Sequence, residues 1–456
     1  MRKSTATPPP GCTTPPDRYA VANEIAETGM ALIDRLVTKL ISKGRLTLEF
    51  PDGKRRSFGP GGGKELTVRF ADRRIAFDIA RNPRMGIGEG YMDGRVEVLD
   101  GTILDLLEMV VGANRWETGG EGRKAISTGR VEAFLSIFRR NPETRSRRNV
   151  SHHYDLSDEL YGLFLDHDRQ YSCAYFTDPA NSLDQAQADK KAHIAAKLYL
   201  KPGQRVLDIG CGWGGTALYL NRVADVDVLG VTLSEEQLKV ARRRAEEAGV
   251  SDRVKFELID YRKVEGRFDR IVSIGMFEHV GAAHFGEFFA TCKDLLADDG
   301  VMLLHTIGKL GSAGAPDPFT DKWIFPGYHL PSISEMFGVT EKLRLVATDV
   351  EILRHHYAYT LRHWLANTDA ARAKIVALYD ERFFRMWEFY LAAGIVAFER
   401  GSMCNYQVQY VRDRDALPIT RDYMIEAERS YRAADRAAEA KTGPAPKPRA
   451  AKKATA

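Results

Sequence analysis

The ten residues 206–215, Val-Leu-Asp-Ile-Gly-Cys-Gly-Trp-Gly-Gly, govern how the rest of the chain is read. An apolar, strand-like run breaks into glycines at 210, 212, 214 and 215 and continues as a helical pattern, GGTALYLNRV. Such a turn lets a ligand approach the backbone and places it at a helix N-terminus, where unpaired N–H groups favour an anion. Gly210, Gly212 and Gly215 also satisfy the dinucleotide spacing, which asks for an acid about 20 residues on, at the end of the next strand. That strand ends Val231-Thr232-Leu233-Ser234, with no carboxylate. A nicotinamide cofactor and a purely structural turn stay open as lesser alternatives. Outward from the motif, VDVLGVT, RVKFELI, DRIVSIG and GVMLLHTIG alternate with SEEQLKVARRRAEEAG and HFGEFFATCKDLLA. The alternation predicts an α/β fold with a doubly wound, mostly parallel sheet, whose ligands bind outside the carboxyl ends of the strands.

The N-terminal third has a different texture. Apolar residues between Arg18 and Leu40 recur at helical spacing. RLTLEF, ELTVRF and RRIAFDIA then read as short strands of a small, mostly antiparallel sheet, separated by Gly/Pro/Asn turns. Thr102 is placed to cap a helix running to Val111. The predicted organisation is a disordered tail (1–16), an α+β lipid-association domain (17–138), a basic linker (139–150), a catalytic domain (151–432) and a disordered basic tail (433–456).

Of the 456 residues, 44% are hydrophobic and 10% aromatic, which excludes wholesale disorder. The formal charge of +4 comes from five basic residues after Ala440, which leave residues 1–440 at −1, so a nucleic-acid partner is not expected. Five scattered cysteines without a C-x-x-C pair argue against a disulfide framework or a metal site. No apolar stretch approaches the ~18 residues of a membrane span, and the N-terminus carries no secretory pattern. The expected location is cytoplasmic.

An Asp two residues before the first glycine, followed by G-x-G-x-G, resembles motif I of the class I S-adenosylmethionine (SAM) methyltransferases. In that reading Asp208 serves the methionine ammonium, directly or through water. A wider ordered set resembles the cyclopropane-fatty-acyl-phospholipid synthase family: SRRNVSHHYDLSDELYGLFLD (146–166), QYSCAYF (170–176), VLDIGCGWGG, GVTLSEEQ, DRIVSIGMFEHVG, FPGYHLPS and HYAYTLRHW. The N-terminal GEGYMDGRVEV resembles the extra domain of the phospholipid-acting members.

The resemblance implies transfer of a methylene unit from SAM to a cis alkene in a phospholipid acyl chain, with bound bicarbonate as the base. It implies an anion site built from the Cys173 backbone and the side chains of Glu278, His305 and Tyr357. It also implies a cofactor site of Tyr171, Ser172, Asp208, Gly210, Gly212, Trp213, Gly214, Thr232, Gln237, Tyr261 and Arg262. Read without the family, Cys173 is a small core residue and His305 a satisfied strand histidine, whereas a carboxylate at Glu278 in apolar surroundings needs a partner. The aromatic run Phe319, Trp323, Phe325, Tyr328 and Phe337 reads either as core or as part of an acyl tunnel, beside a helical wall over residues 370–398.

Where the family often carries a second active-site Cys, this chain has Gly394, which leaves a methyl- or methylene-branched product open beside the ring. A non-catalytic lipid-binding homologue is the alternative from another class. The expected partner is membrane phospholipid with unsaturated chains. The arginines between Arg139 and Arg148 and the basic tail would meet an anionic membrane surface at about 1 kcal/mol per basic residue, giving a peripheral enzyme at the inner membrane surface. The resemblance makes a homodimer through the N-terminal domain plausible.

Overall fold

The strand Arg205–Ile209 is apolar on both faces, and its two faces feed two cores. In the computed structural model, which describes residues 18–112, 115–118, 157–312 and 314–442 (side chains from 29 to 437), the chain separates into two compact units. Residues 1–16, the basic segment 139–150 and the tail from 443 lie outside the described residues.

In the N-terminal unit, β1 (Gly44–Glu49), β2 (Arg55–Gly61), β3 (Glu65–Phe70) and β4 (Val96–Val98) are ordered β2-β1-β3-β4. The β1–β2 and β3–β4 pairings are antiparallel, but β1 and β3 run parallel. RRIAFDIA is not a strand: Arg74–Arg81 is a helix. Its buried residues Ile75, Ala76 and Ile79 share one helical face, and Asp72 accepts from the N–H groups of Arg74 and Ile75 at 2.9 Å. Eight residues fit either period, and the cap decides for helix. Thr102 and Asp105 form a reciprocal capping box that opens helix Ile103–Val111.

The second unit carries β5 (Arg205–Ile209), β6 (Asp227–Thr232), β7 (Val254–Leu258), β8 (Phe268–Ile274), β9 (Leu296–Lys309), β10 (Val346–Leu353) and β11 (Met403–Val411). Their order is β10-β11-β9-β8-β5-β6-β7, parallel from β9 to β7 and antiparallel around β11. Chain order reverses at β5, which makes its carboxyl end the switch point. Val206 joins Val272 and Leu303 in the core on one face, and Leu207 joins Ile271 and Leu304 on the other. The pattern hides β11 because Asn405, Gln407 and Gln409 are buried within it, so its polarity does not alternate with exposure.

The presumed tail begins too early. Helix Asp422–Thr442 continues through Ala433 and Ala434, strong helix formers, and Asp435 accepts from Tyr219 Oη at 2.8 Å and from Arg222 at 2.7 Å. At the other end of the chain, Thr102→Ala should lower the stability of the N-terminal unit by about 1 kcal/mol in urea melts of the whole chain, with Thr102→Ser near wild type.

Candidate active site

A cavity opens at the carboxyl ends of β5, β6 and β8. Ten of the eleven residues expected at SAM line it: Tyr171, Ser172, Asp208, Gly210, Gly212, Trp213, Thr232, Gln237, Tyr261 and Arg262. The eleventh, Gly214, does not. At φ +81° it starts helix Gly215–Ala224, and a Cβ there would meet Phe256 at 2.6 Å and Ala241 at 3.1 Å, so this glycine serves helix packing. Gly210 (φ +82°) and Gly212 (φ +55°) hold the left-handed turn, and a Cβ on Gly212 would meet nothing within 4 Å.

Asp208 is buried, and its Oδ2 has no hydrogen-bond partner. Burial pushes its carboxyl up to about 7, opposed by the charge of Lys190. A buried, unsatisfied carboxylate beside a glycine turn fits the ammonium of a methionine moiety. Thr232 Oγ1 donates to Gln237 Oε1 at 3.1 Å, two neutral groups where a dinucleotide site would place an acid. Arg262 is committed to Asp260 by a two-pronged ion pair at 2.9 and 2.6 Å, so its guanidinium is already engaged. Asp260 itself lines the cavity, as do Gln170, Met276 and His279; none of these was expected from the sequence. The position of Asp260 two residues beyond β7 was the available signal.

Segment 170–176 is strung between two helices. From helix Leu183–Lys197, Gln187 Nε2 donates to the carbonyls of Gln170 (3.2 Å) and Ser172 (3.0 Å), and Lys190 Nζ donates to Gln170 Oε1 (2.7 Å) and Ser172 Oγ (2.9 Å). From helix His356–Ala370, Thr360 Oγ1 accepts from Ala174 N at 3.0 Å and His356 Nδ1 accepts from Phe176 N at 2.9 Å. Cys173 sits between them, buried, and burial pushes its thiol well up, which argues against a thiolate nucleophile. Across the cavity wall Tyr171 stacks on Trp364 (5.1 Å between centroids) within an aromatic box that includes Tyr161, Phe164 and Trp387.

The four residues expected at the anion are placed unequally. Glu278 lies in a short turn after β8; its Oε1 accepts from Ile307 N at 2.6 Å, and its buried Oε2 has no partner. Nearby, the Thr306 hydroxyl donates to the Ile307 carbonyl (3.1 Å), and Thr306 also favours the charged form of the Glu278 carboxyl. Burial raises the Glu278 carboxyl to about 7. His305 lies inside β9, with Nε2 2.7 Å from Asn405 Nδ2 and Nδ1 3.1 Å from Gln407 Nε2; burial keeps it neutral. Tyr357 opens helix His356–Ala370, its ring 5.8 Å from Trp364 and 4.8 Å from Phe398. Of the aromatic run, Phe319 packs on Phe389 and Phe337 joins the core, whereas Phe325 lies 5.7 Å from His279 and 6.0 Å from Tyr390. Gly394 faces helix His356–Ala370, where a Cβ would meet Leu361 Cδ1 at 3.0 Å.

Two outcomes follow from this geometry. A Cβ on Gly215 would meet Gln170 Nε2 at 2.5 Å and Asp168 Oδ2 at 2.6 Å, so Gly215→Ala should weaken binding of S-adenosylhomocysteine (SAH) at least ~10-fold by calorimetry while the fold is kept. Because Glu278 titrates at about 7 folded and at 4.5 ordinarily, the folded chain binds the extra proton between those values. Stability therefore falls as pH rises through that window. In thermal melts without ligand, Glu278→Gln should gain Tm over wild type at pH 8 and lose that advantage at pH 4; an equal gain at both would contradict the assignment.

Comparison with known proteins identifies the family. The family described as Mycolic acid cyclopropane synthetase matches residues 141–408, and a domain of unknown function matches residues 33–115. A cyclopropane-fatty-acyl-phospholipid synthase of Escherichia coli is 40% identical over 73% of this chain and 85% of its own length. A probable fatty acid methyltransferase of Pseudomonas putida is 36% identical over 83% of this chain and 96% of its own. The crystal structure of a mycolic acid cyclopropane synthase complexed with SAH and CTAB superposes with a TM-score of 0.56 at 35% identity, covering 59% of this chain and 98% of that one. With a parallel sheet, a glycine turn at its switch point and a buried Asp208 beside that turn, the chain belongs to the mycolic acid cyclopropane synthetase family and is a SAM-dependent methyltransferase acting on lipid.

Proposed function

We propose that the protein is a cyclopropane-fatty-acyl-phospholipid synthase that transfers a methylene unit to the cis double bond of an unsaturated phospholipid acyl chain. The observation that carries this reading is the aromatic box around Tyr171 and Trp364 beside the cofactor cavity. An alkene is a weak nucleophile, so the site must exclude water and tolerate positive charge on carbon; aromatic faces do both. SAM supplies an electrophilic methyl on a sulfonium, and ring closure then requires loss of one proton from that carbon.

Asp208 holds the ammonium, Gly210 and Gly212 admit the methionine end, and Thr232 with Gln237 takes the ribose hydroxyls. Tyr171, Ser172, Trp213 and Tyr261 complete the enclosure. The proton acceptor is a bicarbonate held by the Cys173 backbone, Glu278, His305 and Tyr357. Glu278 fits this role best: its open, buried Oε2 is an acceptor for the anion's own proton. His305 takes part by exchanging the Asn405 or Gln407 amide for the anion.

A second reading, a methyl or methylene branch left on the chain, is favoured by Gly394 and by the name of the Pseudomonas relative. The substrate is in a bilayer, and no helix among the described residues is long and apolar enough to cross one, so we place the enzyme peripherally at the membrane surface.

Incubating the protein with SAM and vesicles of monounsaturated phospholipid, followed by mass spectrometry of the fatty acids, distinguishes a ring, a branch and no product. Glu278→Gln and His305→Ala should each reduce turnover at least ~100-fold while SAH affinity stays within about 3-fold of wild type. A fully active Glu278→Gln enzyme would refute the base site.

A further inference from the structure

Lys190 belongs to no part of the cofactor or anion site described above, yet it is fully buried in helix Leu183–Lys197. Its ammonium donates to Gln170 Oε1 at 2.7 Å and Ser172 Oγ at 2.9 Å, side chains that flank Tyr171, and Gln170 and Ser172 line the cofactor cavity. One turn earlier, Gln187 holds the carbonyls of the same two residues. Helix residues three apart share a face, so one face of the helix grips segment 170–172 by both backbone and side chains.

Burying an ammonium is costly, and a neutral side chain could have made the same tether more cheaply. The titratable groups around Lys190 are Asp166 and Asp168 from the preceding loop, Lys191 on its own helix, Cys173, Asp208 on β5 and His305 on β9. Asp166, the opposite charge that acts most on Lys190, already accepts from the backbone N–H groups of Gln170 (2.8 Å) and Asp168 (3.0 Å), and Asp168 is neutralised by ion pairs with Lys191 and Arg244. Among the described residues Asp208 has no ion pair, and its Oδ2 has no hydrogen-bond partner.

We propose that Lys190 is a positioning residue of the cofactor site, which fixes segment 170–172 and supplies the positive charge that keeps Asp208 an anion ready for the ligand's ammonium. The inference rests on the reading of Asp208 as the ammonium's partner. Burial brings Lys190 down to about 8, so it stays charged through pH 7. Its charge opposes the burial that raises Asp208 to about 7. Without that charge Asp208 would hold its proton to higher pH, and the onset of ligand binding would move up with it.

The test is SAH affinity by calorimetry between pH 6 and 8.5. Wild type should bind more tightly as pH rises through about 7, whereas 5′-methylthioadenosine, which keeps the nucleoside but lacks the ammonium, should show no such rise. Lys190→Met should move the midpoint up by about one pH unit or more. Gln187→Leu, which loosens the backbone without removing charge, should lower affinity alike at every pH and leave the midpoint in place. Lys190→Gln serves if the Met variant does not fold, and a wild-type profile flat across the range overturns the proposal with no variant at all. An unmoved midpoint in Lys190→Met reduces Lys190 to a packing residue. Asp208→Asn separates the two readings: if it keeps the pH-dependent rise, the assignment of Asp208 fails, and if it abolishes the rise while Lys190→Met shifts nothing, the role of Lys190 alone fails.

Discussion

The site depends on how closely residues 168–172 approach the start of helix Gly215–Ala224. At Gly215 there is no room for a methyl group between the helix and the side chains of Asp168 and Gln170. That contact is held by buried charge: Asp168 pairs with Lys191 and Arg244, and Arg244 also donates to the Trp213 carbonyl at 3.0 Å. The glycine turn, the helix after it and the loop that closes the cavity are therefore one mechanical unit. Ion pairs of this kind contribute little net stability, because desolvation offsets much of their attraction, but they hold a single arrangement of the chain.

The same arrangement sets the electrostatics. Two carboxylates, Asp208 and Glu278, are buried without full hydrogen bonding, and each is raised to about 7 by burial. Sites that lack protein partners in the interior are costly unless a ligand completes them. Asp208 lies beside the glycine turn and Glu278 after β8, so the sheet's switch point carries two buried carboxyl oxygens without hydrogen-bond partners among the described residues. The aromatic cluster adjoining them carries no charge, although the indole N–H groups of Trp364 and Trp387 are buried in it without hydrogen-bond partners among the described residues. That division of labour suits a reaction on an apolar chain.

Much of the parallel half of the sheet was legible in the sequence, because strands buried on both faces read as continuous apolar runs and the glycine turn marks where they change direction. Ten residues that line the cavity were legible through the same motifs. Asp260 and His279 were not, since a single Asp or His carries no pattern of its own. RRIAFDIA misled because eight residues satisfy both periodicities, and β11 was hidden because its buried amides mimic a surface segment. Gly214 looked like a ligand-binding glycine for the same reason that Gly212 did, and the structure shows instead that it makes room for Phe256.

By itself, the sequence determined the fold class and the presence of a switch-point site, since these follow from local periodicity and from a turn that few residue types can adopt, and its resemblance to the SAM methyltransferases indicated the cofactor. The tertiary structure decided which of the candidate groups are free to act. Arg262 is paired with Asp260 and His305 faces the amides of Asn405 and Gln407, whereas Glu278 keeps an open oxygen and Asp208, on a strand, feels the charge of a lysine from a helix. Those distinctions rest on contacts between residues 100 positions or more apart, as between His305 and Asn405. Charge and hydrogen bonding are settled by such neighbours in space, which no local reading of the chain contains.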